Sequence, residues 1–283
     1  MAQSIIVGVD GSETAVRAAE WAAAEASRRN WRVELIAACD PYGADAVYAH
    51  AQDAVRALAE ADLRQAAQGI RGEYPEVELG LSTVEGSPAP ELLRRAASAS
   101  MVAVGLRGRG GFAALRIGSV AYQVAVHAPV PAAVVGPEPL RPDDADIVVG
   151  MDGSEPARHA AAVAFDYARL TGSTVRAVRV WPAPWAETPE RRSSLDEAAV
   201  LGSESRRLER DIAPLAERAE DVAYLTEAVE GHPVACLLEA GTEARLLVIG
   251  ARGRQGFTHL ALGGTAHGLL HHARVPIMVV HSA

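Results

Sequence analysis

The sequence predicts an α/β protein of two tandem, doubly wound domains, each with a mostly parallel five-stranded sheet and helices on both faces. Three repeated features predict it. Val7-Gly-Val-Asp10-Gly-Ser12 returns 142 residues later as Val149-Gly-Met-Asp152-Gly-Ser154. Gly105-Leu-Arg107-Gly108, nine residues and Gly118-Ser119 return 145 residues later as Gly250-Ala-Arg252-Gly253, nine residues and Gly263-Gly264. Val130-Pro131 returns as Val275-Pro276. Units of about 140 residues are whole domains, not the short repeats of a solenoid.

In the first half, Ser4 to Val9 is an apolar run that reads as a strand, and Ser12 is a good N-cap for an alanine-rich helix reaching about Arg29. Val33 to Ala38 is the second strand, and Val47 to about Ile70 is a longer helix after an irregular loop. Val77 to Val84 is the third strand, and Ser87-Pro88 opens a helix, since proline suits a first turn. Met101 to Leu106 is continuously apolar, as expected of a strand covered on both faces. Gly118 opens the last helix and Val130 to Val135 is the final strand. The second half repeats the pattern, with strands expected at Ile147 to Met151, Val175 to Val180, Val222 to Glu230, Leu246 to Ala251 and Pro276 to Val280.

Pro137-Glu-Pro-Leu-Arg-Pro-Asp-Asp144 reads as a short linker. The expected domains are therefore 1–138 and 146–283, joined by 139–145 and held close together. The final strands of the two domains, as expected sheet edges, are candidates for an intrachain pseudo-two-fold pairing. Homodimerisation of whole chains stays open.

Composition narrows the function. The 283 residues are 49% hydrophobic with a net charge of −9, which leaves room for two cores and argues against a nucleic-acid partner. No apolar stretch is long enough to span a bilayer, and the opening residues lack a signal-peptide pattern, so a cytoplasmic protein is expected, with no membrane partner. Cys39 and Cys236 fall at non-equivalent positions, which disfavours a disulfide and suggests two small buried residues. All 27 basic residues are arginine. A phosphate loop ending in Gly-Lys, or a lysine-bound cofactor, is thereby excluded.

The glycine loops carry the chemistry. In an open parallel sheet, ligands bind beyond the strand carboxyl ends where the winding reverses, and both the Asp10 and Gly105 motifs are expected there. Small residues let a backbone approach phosphate oxygens, Gly118-Ser119 offers N–H groups at a helix start, and Arg107 and Arg109 can supply charge. These arginines, like Arg252 and Arg254, read equally well as solvated loop charges. Asp10 and Asp152 are either ligands or caps of the helices that follow. His267 and His271 share a helix face with His272 beside them, a metal-ligand spacing that lacks further ligands; a structural role is the other reading.

The glycine loops, the Val-Gly-x-Asp-Gly-Ser openings and the closing Val-Pro strands resemble the universal stress protein family in its ATP-binding branch, twice over the chain. That resemblance implies a Rossmann-like, adenine nucleotide alpha hydrolase-like fold holding ATP, usually with Mg²⁺ or Mn²⁺. It implies Asp10 and Asp152 beside the nucleoside, and backbone contacts from Ala38 and Val180 to adenine. Gly105, Arg107, Gly108, Gly118 and Ser119 would hold phosphate in one site, and Gly250, Arg252, Gly253, Gly263 and Gly264 in the other. Gly264 departs from the family's serine or threonine, so the second site is expected to bind more weakly.

No nucleophile–base pair stands out, so no catalytic residue is assigned. The leading expectation is an ATP-binding regulatory stress-response protein with an unidentified protein partner. The alternatives are a slow ATPase, a phosphoryl or nucleotidyl transferase, and an ATP-independent scaffold.

Overall fold

Two units, Met1–Pro139 and Leu140–Ser282, each hold their own core. The computed structural model describes residues 3–39, 49–109, 116–181, 197–254 and 262–282. The expected helix start at Val47 and the middles of both glycine-loop spacers, 110–115 and 255–261, lie outside the described residues.

The first unit runs β1 (Ser4–Gly8), α1 (Glu13–Arg29), β2 (Arg32–Cys39), α2 (Ala49–Glu73), β3 (Leu79–Glu85), α3 (Pro88–Ala96), β4 (Met101–Gly105), α4 (Ser119–His127) and β5 (Ala132–Val135). All strand pairings within it are parallel, in the order β3-β2-β1-β4-β5. The second unit runs β6 (Ile147–Gly150), α5 (Glu155–Thr171), β7 (Val175–Trp181), α6 (Glu197–Ala216), β8 (Tyr224–Glu230), α7 (Pro233–Ala240), β9 (Leu246–Gly250), α8 (Gly264–His272) and β10 (Ile277–Val280). Its parallel order is β8-β7-β6-β9-β10.

Local chemistry sets the helix ends. Ser12 caps α1 by accepting from the Ala15 amide, and left-handed Asn30 closes it onto the carbonyls of Ala26 and Ser27. Ser154 caps α5 through the Ala157 amide, and Gly172 ends it. Ala18, Ala19, Ala22, Ala23 and Ala26 are fully buried, so this small-residue face lets α1 lie close over β1 and β4. The central strands are buried on both sides, which accounts for their unbroken apolar runs.

Several expected strands prove one or two residues too long. Val9 and Leu106 leave the ladder after a last bond each, to Ile36 and Val135, and begin the turns beyond the sheet. β3 and β8 begin two residues later than expected, at Leu79 and Tyr224, because Val77 and Val222 are occupied in tight turns closed by Tyr74 and Ala219. Cys39 is buried, which pushes its thiol pKa up. Cys236 is only half-buried, against the expectation of two buried cysteines, because α7 leaves most of its residues partly exposed. No helix among the described residues is long and apolar enough to cross a membrane.

Candidate functional site

From β1 the chain winds outward to β2 and β3, then returns to β4 on the other side of β1. The winding reverses between β1 and β4, so the turns after those strands flank one crevice. β6 and β9 repeat this in the second unit.

The motif aspartates hold these turns together. Asp10 Oδ1 accepts from the Ser12 amide at 3.0 Å and the Ser12 hydroxyl at 2.6 Å, and Oδ2 accepts from the Arg109 amide at 3.0 Å. Asp152 accepts from the Ser154 amide at 2.9 Å and the Arg254 amide at 2.7 Å. Each carboxylate thus ties the first turn of its domain to the glycine loop 99 or 102 residues away. Gly11 and Gly153 adopt φ values of 74° and 82°, the left-handed step that folds the aspartate back over its own turn. The serines, not the aspartates, cap α1 and α5.

The glycines of the loop divide by role. A Cβ on Gly105 would stand 2.5 Å from the Thr14 carbonyl carbon, and one on Gly250 2.8 Å from the Ala157 nitrogen. Both positions therefore pack strand against helix start. A Cβ on Gly108 or Gly253 would instead strike Oδ2 of Asp10 or Asp152. These two glycines permit the aspartate-to-loop bond.

Gly118 and Gly263 close the cradle. Their amides donate to Leu106 and Ala251 carbonyls at 2.8 Å in both domains, drawing the start of α4 or α8 against the loop. Neither helix has a side-chain cap, so its first-turn amides keep the helix's partial positive charge for an anion. Ser119 is the first residue of α4, exposed, and its hydroxyl makes no hydrogen bond among the described residues. At the matching position Gly264 offers only its amide, and a Cβ there would meet open space.

Ala38 and Val180 lie at the other end of the crevice. Bonding in a parallel strand alternates sides, and Ile36 and Val178 accept from Val9 and Met151, the last ladder bonds toward β1 and β6. Two residues on, the amides of Ala38 and Val180 turn the same way, past the end of the neighbouring strand.

The arginines do not act alike. Arg107 sends Nε to the Arg116 carbonyl at 3.3 Å, and Arg109 pairs with Asp62 on α2. Arg252, Gly253 and Arg254 line a cavity of about 790 Å³ in the second domain, with Asp152, Val180 and Gly263. Among the described residues Arg254 has no carboxylate partner. Sequence reasoning missed Thr14, whose hydroxyl donates to the Arg107 carbonyl, and also Arg179, Trp181 and Glu204, which line the second cavity. An arginine within the apolar run of β7 was the available signal. His267 and His271 rings lie 4.6 Å apart, and no group of three metal-ligating side chains occurs among the described residues.

The family model described as Universal stress protein family matches residues 1–136 and again 145–281. Universal stress protein Rv2005c of Mycobacterium tuberculosis (strain ATCC 25618 / H37Rv) is 30% identical over 292 residues, covering 99% of this chain and 97% of its own length. The crystal structure of a universal stress protein from Archaeoglobus fulgidus DSM 4304 aligns with 99% of this chain and 96% of its own, with a TM-score of 0.75 at 20% identity. A universal stress protein in complex with cAMP aligns with 48% of this chain and 99% of its own, at 25% identity and a TM-score of 0.40. The chain belongs to the universal stress protein family, as a tandem of two such domains.

Proposed function

We propose that this protein binds nucleotide in the crevices of its two domains, with ATP as the ligand of the first, and that occupancy is read by a protein partner. The observation that supports this most is the pairing, in both domains, of an uncapped helix start with a glycine loop drawn against it. Such amides favour phosphate. The second cavity has the volume of a small-molecule site.

In the first crevice the amides of Ser119 and Val120 and the Ser119 hydroxyl would hold phosphate oxygens, with the Gly118 amide kept on the Leu106 carbonyl, while the Ala38 main chain meets the base. Both Asp10 oxygens already accept hydrogen bonds, so Asp10 acts by positioning the loop. Mg²⁺ or Mn²⁺ would arrive on the nucleotide's phosphates, whose oxygens are its preferred ligands. A regulatory output requires ATP to bind two conformations unequally.

The test is nucleotide content. Protein purified without added nucleotide is denatured and the released material chromatographed. About one adenine nucleotide per chain or more is the expected outcome. An empty protein that also fails to bind added Mg·ATP refutes the reading and favours an ATP-independent scaffold.

A further inference from the structure

The second crevice carries charged side chains on β7 and α6 where the matching positions of the first are uncharged. Arg179 is 4% exposed and lines the cavity with Trp181, which lies two residues on and on the same face of β7. Arg179 Nε donates to Glu204 at 2.5 Å, and Glu204 also accepts from Arg207 at 2.6 Å. Arg179 Nη1 stands 3.8 Å from Asp211 Oδ2, beyond hydrogen-bonding range. Among the described residues neither this nitrogen nor the buried indole Nε1 of Trp181 has a hydrogen-bond partner. Two unmet donors beside one cavity call for acceptors on whatever fills it.

The first domain carries no arginine–glutamate pair at the equivalent positions. Its matching strand positions hold Ala37 and Cys39. Asp62 and Asp211 stand against Gly11 and Gly153 respectively, and the residue seven before each is Val55 in the first domain and Glu204 in the second.

We propose that the second crevice selects a 6-oxopurine nucleotide, one bearing guanine or hypoxanthine, in place of the adenine nucleotide of the first. This rests on the reading that the crevice holds a purine nucleotide with its phosphates at the glycine loop, which leaves the base at the β7 end. The carbonyl O6 and N7 of a 6-oxopurine form an adjacent pair of acceptors that suits guanidinium donors. Adenine presents an amino group at that edge, donor against donor. The N1–H of a 6-oxopurine needs an acceptor, and the Glu204 carboxylate supplies one. A further phosphate is the wrong occupant for this floor, since it would meet both Glu204 and Asp211. The Val180 amide and carbonyl can serve either purine by a small shift, so discrimination falls to the side chains.

The full chain carrying Gly108→Asp, which disables the first crevice, is titrated by calorimetry with Mg·GTP, Mg·ITP and Mg·ATP. GTP and ITP are expected to bind about tenfold more tightly than ATP. Arg179→Ala with Glu204→Val installs the first domain's residues and removes both charges together, and it should abolish that preference. Trp181→Phe removes one donor while keeping an aromatic ring and should weaken it. The unmodified chain provides an independent check: GTP should displace ATP from one of two sites. ATP binding the second crevice as tightly as GTP, or a preference unchanged in the double variant, overturns this proposal and leaves nucleotide binding intact. Failure of all three nucleotides to bind there overturns both.

Discussion

The two crevices share a backbone and differ in what secures it. In the first, the loop is fastened five ways: Asp10 to the Arg109 amide, Ser12 within 3.1 Å of the Arg107 carbonyl, the Thr14 hydroxyl donating to that same carbonyl and accepting from the Arg107 amide, and the Arg109 guanidinium to Asp62. In the second, Pro156 stands where Thr14 was, and Asp211 is approached by Arg158 and Arg179 instead of a loop arginine. Among the described residues, the Asp152 bond and a 3.4 Å contact from Ser154 remain. The residues that shape the turns thus recur in both domains, and those around them differ. On the proposed reading, the first crevice is better built at its phosphate end and the second at its base end.

The comparison breaks most directly at the glycines beneath the aspartates. Gly108→Asp puts a Cβ onto Asp10 Oδ2 and a second carboxylate into the phosphate end, and Gly253→Asp does the same to Asp152. Each should lower nucleotide affinity in its own crevice about a hundredfold and spare the other, through lost geometry and like-charge repulsion. Two-site calorimetry would resolve this. Equal residual ATP affinity in the two variants would end the claim that the first crevice binds ATP more tightly.

A smaller contrast is expected at the aspartates themselves. Asp10→Ala strands three donors and Asp152→Ala two. Hydrogen bonds to charged acceptors contribute about 1.5–3 kcal/mol each, and partial exposure brings the net effect toward the lower figure. Amide exchange at Arg109 should therefore accelerate about thirtyfold in Asp10→Ala, with a smaller change at Arg254 in Asp152→Ala. Equal acceleration would show that the two loops are fastened alike.

Much of this is legible in the sequence, because hydrophobic period and capping are local. Ser12 and Ser154, the alanine face of α1 and the opening of α4 at Gly118 all lie within a few residues of what they control. The roles of individual site residues were harder to read. Gly105 and Gly108 look equivalent in sequence, yet one meets α1 and the other Asp10, a distinction that depends on how β4 sits beside β1. Arg107 and Arg109 read equally as phosphate ligands or solvated charges, and the fold gives each a specific partner, the Arg116 carbonyl and Asp62. The floor of the second crevice depends on the register of α6 against β7, which pairs Arg179 with a glutamate 25 residues away. No periodicity announces that pairing.

The finest test restores the feature whose loss distinguishes the second phosphate end. Gly264 occupies the position of Ser119 at the start of its helix, and a Cβ there has nothing within 4 Å, so Gly264→Ser costs no packing. Serine is also better tolerated than glycine in a helix, by about 0.5 kcal/mol, and its hydroxyl adds a donor beside the amides of α8. Affinity of the second crevice for its nucleotide should rise about tenfold, the equivalent of one hydrogen bond to a charged group. The reciprocal Ser119→Gly should lower the first by a similar factor. If Gly264→Ser stabilises the domain to heat while leaving affinity untouched, the hydroxyl does not reach the phosphates, and the weakness of the second site must lie in its less tightly fastened loop. Substituting threonine for Pro156 would then be the change that brings the two crevices together.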